Sequence, residues 1–107
     1  MTERQVKDKV NKILANYPCY KLCPMTFGYG ASGHPDILVL LNGRLIGIEC
    51  KRSDKTYHLD KTRTPTSSER YQAIQLEKIK QCGGYVHIAT PSTLDSLRQL
   101  LDTIQAM

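Results

Sequence analysis

The chain has 107 residues, 40% of them apolar and 23% charged, with a net charge of +5 and a sequence pI near 9.1. This predicts one folded domain over residues 1–107 with an ordinary composition. No apolar run approaches the ~20 residues of a membrane span and no signal-like core follows Met1, so a cytoplasmic protein with no membrane partner and no small-molecule cofactor is expected, its basic charge suited to a polyanion.

Thr2 through Tyr17 reads as a helix. Thr2 and Gln5 make a capping box, and Val6, Val10, Ile13 and Leu14 form a stripe at helical spacing. Pro18 ends it. Glu3 falls on the buried stripe by spacing, three residues before Val6 and seven before Val10. It reads either as a favourable charge at a helix N-terminus or as a carboxylate aimed inward. Cys19 to Cys23 is a short strand. Phe27 to His34, with Gly28, Gly30 and Gly33, is a flexible loop. It lacks the Gly-Lys-Ser/Thr ending of a phosphate loop and precedes a strand, so its glycines are assigned to close approach of a nucleic-acid backbone. His34 stays open between surface residue and ligand.

Two apolar runs flank Asn42-Gly43, the signature of a two-residue type I′ hairpin. That turn sets Leu41 opposite Arg44, Leu40 opposite Leu45 and, counting back, Asp36 opposite Glu49, at a non-hydrogen-bonded position where side chains are closest. Two carboxylates then share one face with Cβ atoms roughly 5 Å apart. Opposed like charges destabilise a sheet, so a cation is expected between them. Lys51 shares the face of Glu49, and Cys50 points to the other. Ile37–Leu41 and Leu45–Ile48 are apolar at nearly every position, which predicts a hairpin covered on both faces. Oxygen donors select hard cations over zinc.

Arg52 to Pro65 is poor in apolar residues and carries Arg52, Lys55, Lys61 and Arg63 around Tyr57 and His58. It reads either as a solvated loop or as a phosphate-gripping one, with Tyr57 available to stack on a base. Asp54 and Asp60 dilute its charge, so the loop is expected to be mobile without a partner. Thr66 and Glu69 make a second capping box, opening a helix that runs to about Cys82 and stops at Gly83-Gly84. Its stripe includes Leu76, Ile79 and Gln72; a buried unsatisfied amide costs ~1–3 kcal/mol, so Gln72 needs partners, with Gln75 as the competing candidate. Tyr85 to Ala89 reads as a buried strand. Ser92 to about Gln105 is a closing helix with Leu94, Leu97, Leu101 and Ile104 on one stripe. Cys19, Cys23, Cys50 and Cys82 lack zinc-knuckle spacing and are expected to be reduced and partly buried.

Pro35-Asp36 followed by Glu49-Cys50-Lys51 resembles the PD-(D/E)XK nuclease pattern. More narrowly, Gly33-x-Pro35-Asp36, the short hairpin, Ile48-Glu49-Cys50-Lys51 and a downstream helix carrying Gln72 resemble the VRR-NUC branch, the virus-type replication-repair nucleases. The resemblance runs from about Glu3 to Ile88. It implies a restriction-endonuclease-like α/β fold in the order αβββαβα, with a mixed sheet covered by helices on both faces. It implies that Asp36, Glu49 and the Cys50 carbonyl hold Mg²⁺ or Mn²⁺, that Glu3 completes the metal shell, that Lys51 orients the attacking water or neutralises developing charge, and that Gln72 orients the nucleophile or a carboxylate. The implied activity is structure-directed cleavage of DNA, on branched forms such as four-way junctions, by a homodimer. Two rival readings are a non-catalytic DNA-binding module of the same fold and a sequence-reading restriction-type enzyme.

Overall fold

Two capping boxes and one tight turn set the boundaries of this chain's elements. The computed structural model describes residues 1–24 and 33–107. Among these residues the order is α1 (Glu3–Leu14), β1 (Cys19–Leu22), β2 (Ile37–Leu41), β3 (Arg44–Cys50), α2 (Ser67–Gln81), β4 (Tyr85–Ala89) and α3 (Leu94–Gln105). Thr2 and Thr66 cap α1 and α2 with their partners Gln5 and Glu69, both capping boxes being complete. Asn42 and Gly43 both have positive φ, 50° and 75°, as a type I′ turn requires. The register follows from it: Leu41 pairs with Arg44, Leu40 with Leu45, and so on to Ile37 with Ile48.

The four strands lie in the order β1-β2-β3-β4. The first three are antiparallel, and β4 runs parallel to β3. A parallel neighbour needs a crossover, which α2 supplies. The fold is therefore α/β with a mixed sheet and three helices. One sheet face presents Ile37, Val39, Leu41, Ile46, Ile48 and Cys50, all buried, against Val6, Val10, Ile13 and Leu14 of α1 and Leu97, Leu101 and Ile104 of α3. The other face meets α2, whose Ile79 side chain lies against Gly47 and Gly84. Among the described residues no helix is long and apolar enough to cross a membrane.

Several expectations need correction. Helix α1 stops at Leu14 rather than Tyr17. The hairpin is not covered on both faces: Leu40 and Leu45 are exposed, as are Tyr20 and Leu22 beside them. Helix α2 lies over β3 and β4, and among the described residues nothing seals the β1–β2 end of that face. Strand β4 is only half-buried except at Ala89, because it is an edge strand. All four cysteines are free thiols as expected, with Cys50 buried and Cys19 and Cys23 half-buried, but Cys82 is exposed. Residues 25–32, with the reading given to Gly28 and Gly30, lie outside the described residues. Gly33 is described and has a different task. It has φ +84°, and a Cβ there would sit 2.6 Å from the Tyr71 carbonyl carbon and 2.8 Å from the Gln72 nitrogen. Glycine at 33 lets the chain lie directly on the backbone of α2.

Candidate active site

Strand β3 delivers Glu49 and Lys51 to one face and turns Cys50 into the core. Asp36 stands just before β2, half-buried. Its Oδ2 accepts a 2.7 Å hydrogen bond from the Cys50 N–H, so a side chain carries the hairpin ladder one step past the Ile37–Ile48 pair. In an extended strand a residue's N–H and C=O leave on the same side, so the Cys50 carbonyl also faces the Asp36 side. Glu3 opens α1. It is exposed, not buried in the stripe as its spacing suggested. One carboxylate oxygen from each of Glu3, Asp36 and Glu49 lies within 4.8 Å of the others.

Glu49 is the unusual member. It is 1% exposed, and its Oε2 has no hydrogen-bond partner among the described residues. Burial, then the adjacent Asp36 carboxylate, push its pKa up to about 9, against an opposing pull from Lys51. A buried carboxylate beside another one holds either a proton or a cation. Three convergent carboxylate oxygens, on residues that include the unpartnered Glu49, fit a hard divalent ion. They suit a soft ion poorly, since the donors are carboxylate oxygens and the Cys50 thiol turns into the core.

Lys51 is not the ion between the carboxylates. Among the described residues the one salt bridge is Arg98–Asp95. Lys51 Nζ instead donates to Gln72 Oε1 at 3.0 Å, which selects Gln72 over Gln75 as the helix α2 partner. His34 is exposed and lies outside the carboxylate group.

The loop after Lys51 is docked rather than loose. The Glu69 carboxylate accepts from the Thr66 N–H at 3.0 Å, the Thr56 hydroxyl at 2.8 Å and the Tyr57 N–H at 3.0 Å. These bonds, the Thr66 N–H foremost, hold its pKa down to about 2. Asp54 accepts from the hydroxyls of Thr90 and Ser92. Thr56 and His58 are buried. The expected mobility of this stretch is thus replaced, over residues 54–58, by anchors on α2 and on the β4–α3 corner. The expected stacking surface is reduced too: Lys61 Nζ lies 4.3 Å from the Tyr57 ring centroid and covers one face.

Arg52, Lys55 and Arg63 join Lys51, Glu3 and Glu69 around a cleft of about 470 Å³. A second cleft, of about 490 Å³, has Glu3, Arg4, Lys7 and Asp36 in its walls. Glu3 borders both, so cations flank the carboxylates on two sides. His58 was read only as part of the basic stretch, yet its Nε2 sits 2.9 Å from the same Gln72 oxygen that Lys51 contacts. Glu69 was visible only as a cap. No family model, no curated protein and no solved structure matches the chain. The arrangement itself offers three carboxylates that could hold a hard cation, the Lys51 ammonium held by Gln72, and cationic side chains along both clefts.

Proposed function

We propose that the chain is a nuclease domain of the PD-(D/E)XK type, a Mg²⁺- or Mn²⁺-dependent endodeoxyribonuclease that hydrolyses phosphodiester bonds. The observation that carries this reading is Glu49, a buried carboxylate with an unpartnered oxygen, set among the carboxylates of Asp36 and Glu3. Without a cation such a group must fold protonated or leave a buried charge uncompensated.

Asp36, Glu49 and Glu3, with the Cys50 carbonyl, would hold the ion. Once bound, it supplies positive charge to the scissile phosphate and acidifies water for attack. Lys51, held by Gln72 at 3.0 Å, brings its ammonium to the phosphate oxygens as negative charge builds on them. Gln72 keeps that ammonium from swinging onto the carboxylates. Arg52, Lys55 and Arg63 grip phosphates beside the scissile one, without regard to base sequence. Branched DNA as the preferred substrate, and action as a homodimer, come from the resemblance described above.

A cleavage assay on linear duplex, flap and four-way junction DNA, with Mg²⁺ or Mn²⁺, tests the reading. Cleavage should vanish with EDTA and in Asp36→Ala, and return on adding metal to the wild type. DNA binding without cleavage under every metal would favour the non-catalytic module. Cutting confined to one base sequence would favour the restriction-type enzyme.

A further inference from the structure

We propose that His58 is a positioning residue for Lys51, acting through Gln72. The link rests on two distances at one atom. Gln72 Oε1 lies 3.0 Å from Lys51 Nζ and 2.9 Å from His58 Nε2. An ammonium has only donors, so the Gln72 atom facing it is the carbonyl oxygen, which fixes the amide orientation. That oxygen can then meet only a donor from the imidazole. His58 Nε2 therefore carries the proton and, in the neutral ring, Nδ1 carries the lone pair. The two donors fill both lone pairs of the oxygen.

The ring is placed by its backbone. The Leu59 and Asp60 N–H groups donate to the Thr56 carbonyl at 3.1 and 2.9 Å, closing a turn around His58. Glu69 fixes that turn through the Thr56 hydroxyl and the Tyr57 N–H. Glu69 and Gln72 are three residues apart, so they share one face of α2. The loop docks there with His58 aimed at the amide. Burial holds the His58 pKa below its usual range, the Gln72 bond opposing, which favours the neutral ring that the geometry uses. A Lys side chain has four rotatable bonds and many rotamers. The Gln72 oxygen selects one, and His58 stops the amide from turning away. The consequence for rate rests on the nuclease reading; the hydrogen-bond link does not.

The test compares wild type with His58→Ala, His58→Asn, Gln72→Leu and the His58→Ala/Gln72→Leu pair. In wild type, ¹⁵N shifts of the imidazole should show a protonated Nε2 and a bare Nδ1. His58→Ala should shift the Lys51 Cε resonance. It should also slow single-turnover cleavage at saturating DNA by roughly 10- to 100-fold, taking the cost of losing a group that orients a metal ligand as the guide, while DNA affinity stays put. His58→Asn, whose amide can still donate, should recover part of the rate. The paired variant should be no slower than Gln72→Leu alone, since both act on one contact. A neutral ring protonated at Nδ1, an unmoved Lys51 resonance, or additive rate losses each overturn the proposal. If wild-type protein cleaves no DNA with any divalent ion, the nuclease reading falls, and the tautomer and the Lys51 resonance still decide the role of His58.

Discussion

Asp36 reaches across the end of the hairpin to accept a hydrogen bond from the backbone N–H of Cys50 at 2.7 Å. This bond ties the site to the Asn42-Gly43 turn. Because the turn fixes the register, Asp36 stands one step beyond the Ile37–Ile48 pair, level with Glu49, and its carboxylate is held by the strand that carries Glu49 and leads to Lys51. A one-residue slip would send Asp36 to the opposite face. The Asp36 bond leaves Glu49 as the carboxylate without a hydrogen bond at Oε2.

That asymmetry predicts a pH dependence of stability. The Glu49 pKa is raised in the folded protein, from 4.5 to about 9. Between those values the folded state keeps a proton that the unfolded chain has released. The contribution is fully present below about pH 4.5 and is lost as pH rises through about 9. Metal-free protein should therefore lose stability across that window, with a slope of at most ~1.4 kcal/mol per pH unit for one proton. Glu49→Gln, which mimics the protonated form, should lack this component. Mg²⁺ or Mn²⁺ should stabilise wild type increasingly as pH rises, because ion and proton compete for one site. Urea melts at several pH values check this; parallel curves for wild type and Glu49→Gln would contradict it.

Lys51→Ala should separate charge from metal. Asp36, Glu49 and Glu3 remain, so the rise in Tm on adding Mn²⁺ should be nearly that of wild type. Cleavage should fall by at least ~100-fold if the ammonium stabilises transition-state charge, and DNA affinity should weaken little. Cleavage at the wild-type rate would mark Lys51 as a surface charge that merely satisfies Gln72.

How far the site was legible depended on the range of each signal. The Asn42-Gly43 turn, the two capping boxes and the helical stripes are local patterns, and the structure carries all of them at the expected residues. The placement of Asp36 beside Glu49 followed from counting along one hairpin. The misses are long-range. Leu40 and Leu45 are cross-strand partners and both exposed, and hydrophobicity within a strand does not say which of its residues a helix overlies. His58 meets Gln72 fourteen residues away through a loop with no periodicity. Glu3 lies on the stripe by spacing yet is exposed, since periodicity does not say where along a helix the surface that covers it ends.

Gly33 and Gly83 give a paired test of the α2 contact. Both have left-handed φ, +84° and +87°, but a Cβ at 33 would meet α2 backbone at 2.6 Å, whereas at 83 nothing lies within 4 Å. Gly83→Ala should cost about 1 kcal/mol, the strain of a left-handed residue with a side chain. Gly33→Ala adds a clash with backbone that cannot rotate away, so it should cost at least ~2 kcal/mol. It should also slow cleavage, because the displaced backbone includes the Gln72 nitrogen. Equal losses in the two variants, measured by urea denaturation, would show that the chain at 33 has room to move.

The basic loop should govern binding while leaving the chemistry intact. Lys55, Lys61 and Arg63 are exposed, and Lys55 and Arg63 line the cleft that begins at Lys51. Changing all three to Ala should remove up to three phosphate contacts and flatten the slope of log affinity against log salt by up to ~2.7, from about 0.9 per contact. Because Lys61 sits over the Tyr57 ring, the observed change should fall nearer the loss of two contacts, ~1.8. Cleavage at saturating DNA should persist, since Asp36, Glu49 and Lys51 are untouched. Glu69→Gln offers a contrast. It keeps every cation but weakens the carboxylate that holds Thr56 and Tyr57. Affinity should drop with the salt slope unchanged, because the loop loses its fixed position rather than its charges. An unchanged slope in the triple variant would move the DNA track to the other cleft, where Arg4 and Lys7 stand beside Glu3 and Asp36.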